Sequence, residues 1–501
     1  MGAHKSIFSI LVSVTGIVLL AKVLGFCKQV VIANAFGATL HTDLISLSQG
    51  LVLDIDYVLI QALMTAFIPI YIGIKTKNET DAKKFVGNTV KSFFLITLAI
   101  TCMIIFFSSR ISQLLAPDYS VELGSRLAFY IKIMAPALIA VVLLAVFNAL
   151  LKSNEHFLPG EFVSVNQSVV LIALVITLGS VWGPDTLIVA FYAYALISLL
   201  FLFFLSRCFV DVSYGNPFAD SNIHSLLRMM GPLILGYSMV FVNQQVGRII
   251  VSGLGEGTVT AMNYGAVLSN FVSTFLGTIS GVMFTFVTQS IATQNDEQAA
   301  VLTTEAFINL IILMLPITII TAGNATDIVT IVYKRGAFDN LAVIRSAQAL
   351  QGYAFMFVPL VARELFSRLH YAYGDSKQPM VNSTVGVVFN IIFSIMLGHI
   401  YGVFGVALAS SIAVLICGVL NIYTVSKINV HLQLGKVFNI LPQLTIGTCL
   451  CVVVTLLGHK FLIYHNVFLR FGLIVCITLL CYFAVVYSVV KPFLVRHLKR
   501  K

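Results

Sequence analysis

The stretch Thr186–Leu205, TLIVAFYAYALISLLFLFFL, runs for 20 residues without a charge, a proline or a glycine. An α-helix rises about 1.5 Å per residue, so about 20 such residues reach across the hydrocarbon core of a bilayer. A surface helix of a soluble domain keeps a polar face, and this stretch has none. It reads as a transmembrane helix.

Runs of the same kind recur outward from it, from Ile7 to Val490, with short polar breaks. Upstream lie Ile7–Phe36, Asp43–Ile74, Val86–Ser108, Leu123–Leu151 and Phe162–Val181. Downstream lie Leu226–Leu254, Thr258–Ile291, Val301–Ala322, Ala342–Tyr373, Val381–His399, Val403–Val425, Val437–Leu457 and Val467–Val490. The expected fold class is all-α, a polytopic membrane protein of about 14 spans. Composition agrees: 59% of the residues are hydrophobic, 10% are charged and the mean hydropathy is +0.98. Soluble domains carry roughly 25% charge.

The polar connector at 207–224 divides the first twelve spans into six and six. The expected organisation is a six-helix lobe at 1–206, the cytoplasmic connector, a second six-helix lobe at 225–428, and two further helices with a basic tail at 429–501. Two such lobes are the usual frame of an alternating-access carrier, with its site near the midplane. The first apolar run continues past Leu20 into Phe26 and Val30, too long for a signal peptide, and reads as a retained span.

The net charge of +10 is spread over alternate loops. Lys5, Lys75, Lys77, Lys83, Lys84, Lys152, Arg207, Lys377, Lys427 and Lys436 make the set, with the tail Lys491, Arg496, Lys499, Arg500 and Lys501. This is the positive-inside pattern, which puts both termini in the cytoplasm and argues against nucleic acid as a partner. All eight cysteines lie in or beside apolar stretches, and Cys449 and Cys451 lack the spacing of a zinc or redox motif. No Walker loop, paired-histidine spacing or nucleophile elbow is present, and no loop has room for a catalytic domain. Gly253, Gly255, Gly257, Gly277 and Gly281 suit turns and close helix packing. The expectation is a transporter, not an enzyme, with no cofactor and no metal.

A charge at the middle of a span costs roughly 2.5 to 3.5 kcal/mol on insertion scales, so charges at membrane depth call for a partner or a wet cavity. Lys22 and Lys28 flank Gly25 in the first span. At about 100° per residue they point about 120° apart, and a bend at Gly25 would bring them onto one wall. Asp43 stands near the outer end of the second span, with Asp54 and Asp56 nearer mid-depth. Asp54 and Asp56 diverge by about 200°, so either the helix breaks or one of them pairs with a neighbouring span. An ion pair of Lys22 or Lys28 with one of these acids competes evenly with contact to substrate. Arg248 closes the polar run Asn243, Gln244, Gln245, Gly247, Arg248 and is expected to line the path. Arg363 and the adjacent Glu364 diverge, whereas Glu364 and Arg368 have i, i+4 spacing and suit a salt bridge on the helix surface. Lys132 and Glu161 are further charges near membrane depth.

Cations outnumber acids in this set, which suits an anionic cargo such as a phosphate. A sugar joined through pyrophosphate to a long lipid is one. Its head cannot cross hydrocarbon unaided, and its tail already resides there.

The chain resembles the MurJ/MviN group of lipid II flippases, in the multidrug/oligosaccharidyl-lipid/polysaccharide exporter superfamily. The stretch Lys22-Val-Leu-Gly-Phe-Cys-Lys28, then Ala35-Phe-Gly-Ala38, Thr42-Asp43 and Ala66-Phe-Ile-Pro69, is similar to that family's opening motif. A second likeness lies in Tyr333-Lys-Arg-Gly-Ala-Phe-Asp339, Arg363, Arg368 and Tyr371-Ala-Tyr-Gly-Asp-Ser-Lys-Gln-Pro379. Shorter echoes occur at Phe147-Asn-Ala-Leu-Leu with Phe157, and from Gly255 to Tyr264. The resemblance implies a V-shaped pair of lobes, with the two C-terminal helices forming a groove for the lipid tail. It also implies movement of an undecaprenyl-pyrophosphate-linked sugar to the outer leaflet, driven by membrane potential or an ion. Lys22, Lys28 and Asp43 match family positions in the cavity that are usually Arg, Arg and Asp.

There are departures. Lysine replaces arginine twice, losing the bidentate fork. Gln29 stands where the family commonly has Asp, Ile55 and Asp56 stand around a family arginine, and another is missing near Val267. These changes turn the expectation toward a flippase for the lipid-linked repeat unit of an exported polysaccharide, in the bacterial inner membrane. Lys22, Lys28 and Arg248 would engage pyrophosphate or acidic sugars. Asp43, Asp54 or Asp56 would contact hydroxyls or organise the lysines, and Arg363 and Arg368 complete the candidate site. The partners implied are the polyprenyl-linked glycolipid, membrane lipids and an unspecified coupling ion. The runner-up is lipid II itself. A cation-coupled exporter of small molecules on the related fold is a third reading, disfavoured by the basic interior.

Overall fold

A computed structural model describes residues 2–211, 216–428, 431–433, 435–462 and 466–498, apart from the side chains of 2–15 and 488–498. Of the loop cations named above, the side chains of Lys5, Lys491 and Arg496 and the residues Lys499, Arg500 and Lys501 lie outside the described set. The described residues fold as helices α1 (Gly2–Phe36), α2 (Leu40–Lys75), α3 (Glu79–Phe106), α4 (Ser108–Leu115), α5 (Val121–Met134) and α6 (Ala137–Ser153). There follow α7 (Leu158–Trp182), α8 (Thr186–Ser206), α9 (Ser221–Ser252), α10 (Thr258–Ala292), α11 (Asp296–Gly323) and α12 (Ala325–Tyr333). The series ends with α13 (Asn340–Ala354), α14 (Phe357–Ala372), α15 (Lys377–Ser426), α16 (Gly435–Phe461) and α17 (Val467–Leu498).

The chain is a polytopic all-α membrane protein. Among the described residues 11 stretches are long and apolar enough to cross a bilayer. Two of these are double: Leu158–Phe209 holds α7 and α8, and Lys377–Ser426 breaks at Gly402, whose φ of 59° is left-handed. A side chain there would strain the backbone, so a glycine marks the break that separates Val381–His399 from Val403–Val425. The expected span Ala342–Tyr373 is covered by two shorter helices, α13 and α14, of 15 and 16 residues. The expected count of about 14 is therefore approximate, because helices interrupt within spans.

Helix starts follow local chemistry. Thr39 and Thr42 form a reciprocal capping box at α2, and the Thr39 amide donates to Thr42 Oγ1 at 2.8 Å. Asn78, Ser120, Asp220 and Asn295 accept from the first-turn amides of α3, α5, α9 and α11. Each supplies an acceptor for an amide that the helix itself leaves unpaired.

The residues divide into two compact units, Met1–Thr260 with Arg335–Asp339, and Ala261–Lys334 with Asn340–Lys501. In the first, α2 is the central element, running beside α5, α6 and α9. Its inner face is apolar and tight: Phe67 stacks on Tyr71 and on Phe85 with centroids 5.6 and 5.5 Å apart, and all three are buried. α9 follows the connector in sequence and packs along α2 in this first unit. The turn Arg335–Asp339 docks here too, the Ala337 amide donating to the Asn34 carbonyl at 2.9 Å. Gly37, with φ 61°, lies so close to Ala337 that a Cβ would stand 2.3 Å from its carbonyl oxygen.

In the second unit Phe307 and Phe366 meet edge to face, with centroids 5.2 Å apart, in a core shared by α11 and α14. The last two helices pack on each other and on α11. The Tyr482 hydroxyl donates to the Ile312 carbonyl at 2.9 Å, and Arg470 makes a two-pronged ion pair with the buried Asp327, its Nε 3.0 Å from Oδ2. The eight cysteines are free thiols.

Candidate functional site

α2 is an unbroken helix through Asp54 and Asp56, so their side chains leave it on opposite sides. Asp54 faces α9. Arg248 Nη1 pairs with its Oδ2, and Gln245 Nε2, one turn earlier on α9, donates to the same oxygen at 2.7 Å. Both charged side chains are largely buried, at 19% and 11% exposure. Gly50 sits one turn before Asp54, and a Cβ on it would lie 2.7 Å from Arg248 Cζ. The bare Cα makes the room that the guanidinium occupies.

One of the two acids thus pairs with a neighbouring span, and the partner is an arginine, not Lys22 or Lys28. Two long helices that run side by side can bury an opposed pair, whereas α1 packs chiefly on α7. Arg248 is a neutralised group in this structure. Asp56 points the other way, 8% exposed, into a cavity bounded by α6, α7 and α8.

Asp43 departs from the expectation of a group open to ligand. It is fully buried, and its Oδ1 accepts the Thr260 amide at 2.7 Å. Thr260 is the third residue of α10, where amides have no partner within the helix. The carboxylate therefore caps α10 from the side, favoured by the positive end of the helix dipole. Ser46, nearly one turn on, adds a hydroxyl contact to Thr260 at 3.3 Å.

Lys22 is exposed and Lys28 half-buried on α1, which runs through Gly25 as one helix. Among the described residues neither lysine has a carboxylate within ion-pair distance. Lys132 is exposed, and Glu161 lies 3.8 Å from Lys152.

Arg363 and Arg368 belong to the second unit. Glu364 lies between them, 3.6 Å from Arg368 as the i, i+4 spacing predicts and 3.8 Å from Arg363. The second contact corrects the expected divergence of those neighbours, since a guanidinium on a long stem can fold back along the helix surface. Arg368 also donates to the Gly277 carbonyl at 3.3 Å.

Several polar arrangements had no sequence signal that singled them out. His41 Nε2 lies 2.9 Å from Asp185 Oδ1, and Tyr130 donates to the same oxygen at 2.8 Å. Asp327 with Arg470, and Asn148 beside Gly160, are two more. The first two join residues more than a hundred positions apart, and only an unexplained polar residue in an apolar run would have marked any of the three.

Residues 32–476 match the family model described as lipid II flippase MurJ. The chain belongs to the MurJ family. Its MurJ relatives include the "Probable lipid II flippase MurJ" of Buchnera aphidicola from Acyrthosiphon pisum, 25% identical over 415 residues, 80% of each chain. That of Rickettsia prowazekii is 22% identical over 453 residues, 89% of each. In fold the chain is similar to a solved lipid II flippase MurJ in an inward closed conformation, with TM-score 0.82 and 19% identity, over 96% of this chain and all of that one. A point mutant of the Vibrio cholerae MATE transporter VcmN shares the fold at TM-score 0.57 and 16% identity, over 86% of this chain and all of that one. The MurJ match takes in Asp43, Asp54, Asp56, Arg248, Arg363 and Arg368, and begins after Lys22 and Lys28. Membership makes this a multi-pass membrane transport protein for lipid-linked cargo.

Proposed function

We propose that the protein is a lipid II flippase, carrying the undecaprenyl-pyrophosphate-linked peptidoglycan precursor from the inner to the outer leaflet of the bacterial cytoplasmic membrane. The observation that carries this reading is the extent of the MurJ match, 32–476 of 501 residues. Relatives aligned over most of their length bear the name lipid II flippase. This favours lipid II over the polysaccharide repeat unit expected from the sequence, which rested on single replaced cations.

In this reading both termini are cytoplasmic, access alternates between the two sides of the membrane, and 429–501 guides the lipid tail. Lys22 and Lys28 supply the charge that meets pyrophosphate, because no carboxylate of the described residues neutralises them. Arg248, held by Asp54, is a strut of the first unit and contributes position more than free charge. Cells depleted of their own lipid II flippase test the proposal: rescue of growth by this chain is expected. Failure to rescue, with restoration of a polysaccharide-export mutant instead, would overturn it.

A further inference from the structure

The cavity behind α2 has a volume of about 190 Å³ and lies wholly within the first unit. Asp56, Asn148, Gly160, Ser164, Gln167 and Tyr194 line it among apolar side chains. Asp56 makes no hydrogen bond and no ion pair among the described residues, and its Oδ1 is buried without a partner. Asn148 Oδ1 is a second buried acceptor without a partner. It packs against the bare Cα of Gly160, where a Cβ would come within 2.1 Å of it.

A carboxylate taken out of water with no counter-charge costs several kcal/mol, so something must neutralise it. The lining described here has no lysine, arginine or histidine. Its polar atoms include oxygens from a carboxylate, two amides and two hydroxyls, a set that suits a hard cation. One carboxylate balances one positive charge. A single water needs roughly 10 to 15 Å³, so the space holds an ion that keeps part of its hydration shell. Ser164, one of the lining residues, is exposed, so the cavity wall reaches the protein surface there.

We propose that Asp56 and Asn148 form a site for a monovalent cation, Na⁺, inside the first unit, reached past Ser164. The site shares no residue with the proposed lipid contacts at Lys22 and Lys28, and the proposal does not depend on which lipid the protein carries.

The test uses the full chain in detergent, with ²²Na⁺ binding and thermal stability measured in NaCl against choline chloride at one ionic strength. Saturable binding of about one Na⁺ per chain is expected, with a rise in melting temperature that choline does not give. Asp56→Asn, close in size to the parent, should lose about tenfold or more in Na⁺ affinity, on the scale seen when a metal site's support is removed. Asn148→Ala should weaken binding in the same direction, which keeps the test open should Asp56→Asn fail to elute as a monodisperse peak. An unchanged Na⁺ response in both variants overturns the proposal. So does a parent protein whose stability follows pH but not Na⁺, since that would make Asp56 a proton site.

Discussion

Arg248 of α9 and Asp54 of α2, 194 residues apart in sequence, share one buried ion pair, with Gln245 donating to the same carboxylate oxygen. Removing one member leaves a charge in a poorly hydrated place, and such truncations cost about 3 to 5 kcal/mol. Arg248→Met and Asp54→Leu should each destabilise the protein strongly. The double variant should lose less than the sum of the two, and a double-mutant cycle of unfolding in detergent reads this coupling directly.

Gly50 has an equally specific requirement. In Gly50→Ala the new Cβ would sit 2.7 Å from Arg248 Cζ, so the guanidinium must shift from the place where it meets Asp54. A loss of about 1 to 3 kcal/mol is expected, against the small gain alanine normally brings to a helix. An unfolding curve matching or exceeding the parent's would show that the guanidinium has room to spare.

Lys22 and Lys28 should behave in the opposite way. Charges without a partner add little to stability, so Lys22→Gln and Lys28→Gln should fold normally. A charge-assisted hydrogen bond to phosphate contributes about 1.5 to 3 kcal/mol, so each variant should weaken lipid binding by about tenfold or more. Arginine at either position should retain activity. The readouts are melting temperature beside rescue of flippase-depleted cells.

The pair Asp327 and Arg470 ties α17 to α12 in the second unit. Arg470→Leu should leave the buried acid unpaired and loosen the C-terminal helices before the rest. Hydrogen exchange followed by mass spectrometry should then show faster exchange in α16 and α17, with α2 and α6 unchanged.

At the turn before α15, Asp375 accepts the amides of Gln378 and Lys377, each at 3.1 Å, and lies 3.0 Å from His370 Nδ1. The Gln378 amide bond, followed by the smaller effects of His370 and the Lys377 amide, holds the Asp375 carboxyl below its ordinary value. Its contribution to stability is thus complete above the unfolded value, near pH 4, and disappears as pH falls through the lower folded value. Melting temperature against pH should decline in that acid range, and Asp375→Asn should flatten that part of the profile.

The membrane fold was legible because hydropathy acts locally: Thr186–Leu205 needs no neighbour to be read as a span. The divergence of Asp54 and Asp56 was legible as well, since helical geometry alone separates them. The identity of the partner was not. Arg248 and Lys22 carry the same charge in sequence, and only the packing of α2 on α9 selects between them. Asp43 was misread for a related reason. An acid near the end of a span looks open to solvent until the start of α10 arrives to claim it. Gly25 lies within one continuous helix, since a glycine permits a break without imposing one.

Transport of lipid II is read most directly from the appearance of lipid II in the outer leaflet. Cells depleted of their own flippase and supplied with this chain should expose lipid II to an externally added, membrane-impermeant probe, and the Lys22→Gln, Lys28→Gln double variant should not. Lipid II that stays inaccessible in cells holding the folded parent protein would contradict a lipid II flippase.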